Sequence, residues 1–301
     1  MIFCVFLDPQ SIRRLSGMGE LGGDSLIGVL RVLLQSCLLA ETTDWRAGAE
    51  LSDAVKAISN QDVRKRVSAL MEELGKRKRF VAILDAGDED TNVSPAAIAL
   101  RNRNLQQLDA IISELDQQNP GRGAEVIPVQ SFHSSNFAAK CYQANAGLVL
   151  KANVVGPPEF FTKHLGKLLL VESSFEIIDR VVGKDFGENY FHNLSWWIDF
   201  LRQAESRIEL TIHTEGKQIE PIRKRLAELC EDTMISPCVK GYDDGCLPHE
   251  RYLRTVAFAF NLGRGLDLFD PNTGKNRDLY LAHANPASLR TVNLERRASP
   301  T

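Results

Sequence analysis

Two stretches carry residue types suited to chemistry on a phosphate. The first is Pro248-His249-Glu250-Arg251-Tyr252-Leu253-Arg254-Thr255, just ahead of a strand-like run; the second is Leu262-Gly263-Arg264-Gly265-Leu266-Asp267-Leu268-Phe269. In extended geometry His249 and Arg251 share a face, because side chains alternate with a period of two. A guanidinium offers a fixed fork of donors to phosphate oxygens. An imidazole beside it could attack phosphorus or donate a proton. Gly263 and Gly265 would let the backbone turn with positive φ or approach closely. His249 and Arg251 are therefore the catalytic candidates, and His249, Arg251, Arg254, Arg264 and Asp267 form the candidate set for binding phosphate or a partner. The competing reading is a histidine that holds a turn, with Arg251 in a salt bridge to Glu250 or Asp267.

A second set of candidates lies near the start of the chain. The apolar run Ile2 to Leu7 ends at Asp8, the place where many α/β phosphohydrolases hold a metal-binding carboxylate. Glu41, Asp44 or Glu50 could supply a second group, and Asp85, Asp88 or Asp109 a third. Asp8, Asp85 and Asp109 are the candidate ligands for Mg2+ in this half, whereas the second half requires no cofactor. The competing reading has Asp8 capping a turn or helix and the others solvated.

The elements that must position these groups follow from the pattern. Phe80 to Leu84 and Glu125 to Val129 read as further strands; Ser25 to Leu39, Ala47 to Ile58, Gln61 to Leu74 and Ser94 to Leu115 read as helices, and 117–122 as a loop. Lys76-Arg77-Lys78-Arg79 reads as a solvated helix end, where cations are favoured. The alternation predicts an α/β fold whose N-terminal half is a mainly parallel sheet with helices. Pro157 and Pro158 mark a boundary, giving domains 1–155 and 156–290 and a disordered tail 291–301. In the second domain, Lys167 to Val171, Arg207 to Ile212 and Met234 to Val239 read as strands. Phe191 to Arg202 and Ile219 to Cys230 read as helices, and Leu253 to Leu268 as paired strands. Trp196 and Trp197 diverge by about 100° on their helix, so one belongs to the core and the other is partly buried.

The 301 residues suffice for two domains, and 44% hydrophobic with 25% charged is a soluble, globular balance. A net charge of −3 gives no support to binding nucleic acid over the whole surface, yet leaves room for a local basic groove. The six cysteines lack zinc spacing; Cys238 and Cys246 near His249 read as free thiols sooner than as ligands. No run approaches the ~20 apolar residues of a membrane span, and the chain reads as cytoplasmic with reduced thiols.

HERYLRT followed by LGRGLDLF resembles the phospholipase D-like C-terminal domain found after MIT domains, and related bacterial domains. The resemblance covers about residues 165–286 and implies a C-terminal phospholipase D-like α/β domain. Catalytic members resemble one another through His-x-Lys followed, after four intervening residues, by Asp; here Arg251 replaces the lysine and Val256 the aspartate. Two such motifs must face each other for catalysis, and this chain has one, so a working site requires a homodimer. Residues Leu108 to Ile112, read as helical, with Asp8 give a slighter resemblance to PIN-type nucleases.

The resemblance implies a prokaryotic accessory protein of a nucleic-acid-directed system, such as defence against phage or plasmids. Its degenerate domain would bind phosphate backbone or a protein partner. The alternatives are a homodimeric phosphodiesterase with His249 as nucleophile, or a metal-dependent nuclease in the first domain.

Overall fold

The computed structural model describes residues 1–85, 87, 93–115 and 123–284, so the expected loop at 117–122, Asp88 and the expected tail at 291–301 lie outside the described residues. The fold is α/β, in two compact units that divide between Asn145 and Ala146.

The first unit runs β1 (Phe3–Leu7), α1 (Pro9–Gly17), α2 (Gly19–Ser36), β2 (Cys37–Thr42), α3 (Arg46–Lys56), α4 (Gln61–Lys76), β3 (Phe80–Leu84), α5 (Pro95–Arg101), β4 (Ala110–Ile112), β5 (Glu125–Ile127) and α6 (Asn136–Ala146). Its five strands form a parallel sheet in the order β3-β2-β1-β4-β5. Val5, Leu7, Leu39, Ala110 and Ile112 from one sheet face share a core with Leu26 and Leu30 of α2, Leu51 of α3 and Val67 of α4. The chain reverses strand order between β1 and β4, the switch point at which open parallel sheets bind ligands.

Three expectations here need correction. The helix expected over Ser25 to Leu39 ends at Ser36, and Cys37 to Leu39 begin β2. Their spacing suits a helix, but all six β2 residues are buried, and pairing with β1 decides the outcome. The helix expected over Ser94 to Leu115 stops at Arg101, and the Asn102 side chain turns back to the Ile98 carbonyl (2.9–3.0 Å contacts with Asp85 and Ile98 oxygens). Leu108 to Ile112 are thus not helical; Ala110–Ile112 form a strand inserted beside β1. Arg79 is not solvated: it is 1% exposed and donates to the Cys37 carbonyl (3.0 Å).

The second unit comprises β6 (Leu148–Leu150), α7 (Pro157–His164), β7 (Ser174–Ile178), α8 (Glu188–Leu201), β8 (Ile208–Glu215), α9 (Ile219–Cys230), β9 (Ile235–Tyr242), β10 (Tyr252–Arg254), β11 (Ala259–Asn261), β12 (Phe269–Asp270), β13 (Lys275–Asn276) and β14 (Leu279–His283). Seven strands form a mixed sheet, β6-β14-β11-β10-β7-β8-β9, in which β7, β8 and β9 are parallel. The unit begins before Gly156 because β6 pairs with β14. The two prolines do not break structure; they occupy the first turn of α7, where no amide is needed. Lys167 to Leu170 belong to a 3-10 helix, Gly166–Leu170, that Val171 caps, and the strand lies further on, at Ser174–Ile178. Alternation sorts the sheet into two faces: Phe175, Ile177, Leu210, Ile212 and Leu253 are buried on one, while Glu176, Thr211, Lys240 and Arg254 lie on the other. Trp197 is buried against Phe161, and Trp196 is partly buried. Among the described residues, no helix is long and apolar enough to cross a membrane.

Candidate anion-binding site

The site forms where β7 ends and β10 begins. Asp179 follows β7 directly and is fully buried. Its Oδ1 accepts the Val181 amide (3.0 Å) and its Oδ2 the Leu266 amide (2.8 Å). Arg251 lies just ahead of β10, with Nε 3.3 Å from Asp179 Oδ1, and Nη1 donates to the Gly263 carbonyl (2.9 Å). The guanidinium therefore bridges a buried carboxylate and the glycine turn.

Gly265 completes that contact. Its φ is +66°, and a Cβ there would lie 2.1 Å from Asp179 Oδ2 and 2.4 Å from Arg251 Cδ. Only glycine fits the space and the conformation. A second ion-pair ring adjoins: Asp267 takes Arg264 (3.3 Å) on Oδ2 and Arg277 (3.1 Å) on Oδ1. Burial pushes the Asp179 carboxyl up, against the amide bonds and Arg251, which pull it down. Burial, with Asp179 and Asp267 nearby, also drives the Tyr190 hydroxyl well above its ordinary value.

The sequence candidates are thus divided. Arg251, Arg264 and Asp267 join one network, although Arg251 pairs with Asp179 instead of Glu250 or Asp267. Arg254 is separate; it pairs with Glu176 across β10 and β7. His249 does not share a strand face with Arg251, because β10 starts only at Tyr252. It occupies a bend, is exposed, and has no hydrogen bond or ion pair with a described residue. Val256 is exposed at the turn between β10 and β11, where Glu172 accepts its amide (3.2 Å).

Asp8, Asp85 and Asp109 are not brought together. Asp8 is 3% exposed and caps α1, accepting the Gln10 amide (2.9 Å) and the Ser113 hydroxyl (2.6 Å). Asp109 precedes β4 and accepts the Cys4 amide (2.7 Å), near the other end of the strand that Asp8 terminates. Four residues of strand separate those positions by roughly 13 Å. Asp85 follows the edge strand β3 and accepts the Gly87 amide (3.0 Å). Glu41 faces the first turn of α3 and Thr42 instead (2.8 Å to its amide), and burial raises its carboxyl. Among the described residues, no three His, Cys, Asp or Glu side chains are grouped to hold a metal ion, and all six cysteines are free thiols.

Sequence reasoning missed Asp179, Tyr190 and Arg277. Asp179 had a signal, since it follows the strand-like stretch Phe175-Glu176-Ile177-Ile178 as Asp8 follows β1. Arg277 had none. A second buried cluster was also missed: His213 Nδ1 meets the Tyr242 hydroxyl (2.8 Å), and Glu215 accepts the Leu247 amide (2.7 Å) and Lys184 (2.9 Å). Burial pushes His213 down to about 4. No protein-family model matches the chain, and no curated protein matches it.

Proposed function

We propose that the unit from Ala146 onward binds the phosphate groups of a nucleic acid, and that the protein is an accessory component of a nucleic-acid-directed system. The observation that carries this reading is the charge balance of the network. Three guanidinium groups, Arg251, Arg264 and Arg277, meet two carboxylates, Asp179 and Asp267. The Arg264 side chain is 41% exposed, so part of its donor fork faces water. A phosphate can take up such donors without dismantling the pairs beneath.

Binding of a fluorescently labelled oligonucleotide, followed by anisotropy across a salt series, tests the reading. Arg264→Gln is expected to weaken binding similarly for all sequences and to lower the salt slope by about 1. Absence of binding at low salt, with the protein folded, overturns it.

The exposed, unpaired imidazole of His249 favours a second reading, a homodimeric phosphodiesterase. Cleavage in EDTA that disappears in His249→Ala supports that reading; no cleavage in any condition rejects it.

A further inference from the structure

The first turn of α8 carries a pocket that the arginine network does not explain. It has a volume of about 360 Å3 and is lined by Phe186, Gly187, Glu188, Phe191 and His192. That volume lies within the range of small-molecule sites, about 300–1,000 Å3. Phe186 is fixed by its amide, which donates to Gln218 Oε1 (3.2 Å). Arg225 lies over the Phe191 ring, its guanidinium carbon 3.5 Å from the centroid. The remaining Phe191 surface borders the pocket. The His192 ring stands 5.7 Å from Phe191 and 6.3 Å from Trp196, so aromatic surface continues beyond the pocket along α8. Glu188, 3.7 Å from His192, puts an acceptor at the rim.

These groups suit a flat aromatic ligand with polar edges. Two phenyl rings and an imidazole give stacking surface, and Arg225, outside the lining, backs the Phe191 ring. An acyl chain would make no use of the His192 and Glu188 edges. Position supplies the rest. Tyr190, in the same helical turn, is within electrostatic reach of Asp179, Asp267 and Arg251. Asn193, one turn on, holds Phe269 through both backbone groups (2.9 Å from its amide, 2.8 Å to its carbonyl), two residues from Asp267. Tyr190 points away from Glu188, Phe191 and His192 on the helix. One side of the α8 first turn therefore carries the pocket, and the next turn is tied to Phe269, two residues from Asp267.

We propose that this pocket stacks one unpaired nucleobase of a single-stranded nucleic acid whose backbone follows the Arg251, Arg264 and Arg277 rim. The proposal rests on the phosphate-binding reading above and narrows it to single strands. Stacking of one base is worth about 1–3 kcal/mol, which corresponds to roughly 5- to 150-fold in affinity.

The test compares three labelled twelve-residue probes on the full chain: oligothymidylate, an abasic strand with the same backbone, and a duplex. The wild type is expected to bind oligothymidylate about tenfold or more tighter than the abasic strand. Phe191→Leu and Phe186→Leu are expected to remove that preference while leaving abasic binding and the salt slope unchanged; melting temperature checks that each variant is folded. Equal binding of oligothymidylate and abasic strand by the wild type overturns the base pocket but leaves phosphate binding intact. Binding of no probe overturns both readings. A preference that survives in both phenylalanine variants overturns the pocket as its source.

Discussion

Asp8 and Asp179 invite comparison, because each directly follows a strand, β1 or β7, and each is buried. Their surroundings differ. Asp8 is met by an amide and a hydroxyl, and its work is to cap α1 and tie the end of β1 to the end of β4. Asp179 is met by two amides and a guanidinium, and it ties β7 to the Gly265 turn through Arg251. A carboxylate directly after a strand therefore serves as a helix cap in one unit and as an ion-pair hub in the other. The first consumes its carboxylate in structure. The second assembles cations around it, and so acquires a surface able to receive an anion.

Breaking the hub should cost more than breaking the cap. Asp179→Ala leaves Arg251 without its buried partner and is expected to destabilise the second unit by about 3 kcal/mol, read by urea denaturation. Gly265→Ala, with a Cβ forced against Asp179 and Arg251, is expected to cost about 2–3 kcal/mol and to lower oligonucleotide affinity as the turn shifts. Asp8→Ala is expected to cost about 1 kcal/mol, the worth of a helix cap. If the Asp8 variant proved as damaging as the Asp179 variant, the contrast would fail.

Acid adds a smaller, graded test of the second unit. His213 is neutral in the fold down to about 4, while an unfolded histidine takes up its proton near 6.5. The unfolded chain therefore binds more protons between those values, so stability falls as pH drops from about 6.5 through about 4. His213→Gln should flatten that slope, measured as melting temperature against pH. The smallest effect is expected for His249→Ala, within about 0.5 kcal/mol of the wild type, as for an exposed side chain without partners.

Much of the scaffold was legible. β3 and α9 have the limits that their patterns predict, and β1 ends at Leu7 as expected, since a short apolar strand or an amphipathic helix with clear ends leaves a strong local signal. The site was legible in part. The two glycines and Arg264 of residues 262–269 stood out by type, but His249 was expected to share a strand with Arg251, and the bend ahead of Tyr252 prevents that.

The sequence by itself determined the α/β class, the parallel first sheet, and the need for glycine and arginine around 263–265, because periodicity and backbone permissiveness are local properties. Only the tertiary structure decided that residues 37–39 and 110–112 are strands, since that depends on a vacant place beside β1. It alone decided that Arg251 answers Asp179, 72 positions earlier in the numbering, and that Arg277 joins Arg264 on Asp267. Those pairings come from strand order and register, which bring residues distant in the chain within ion-pair reach and which no short stretch of sequence encodes.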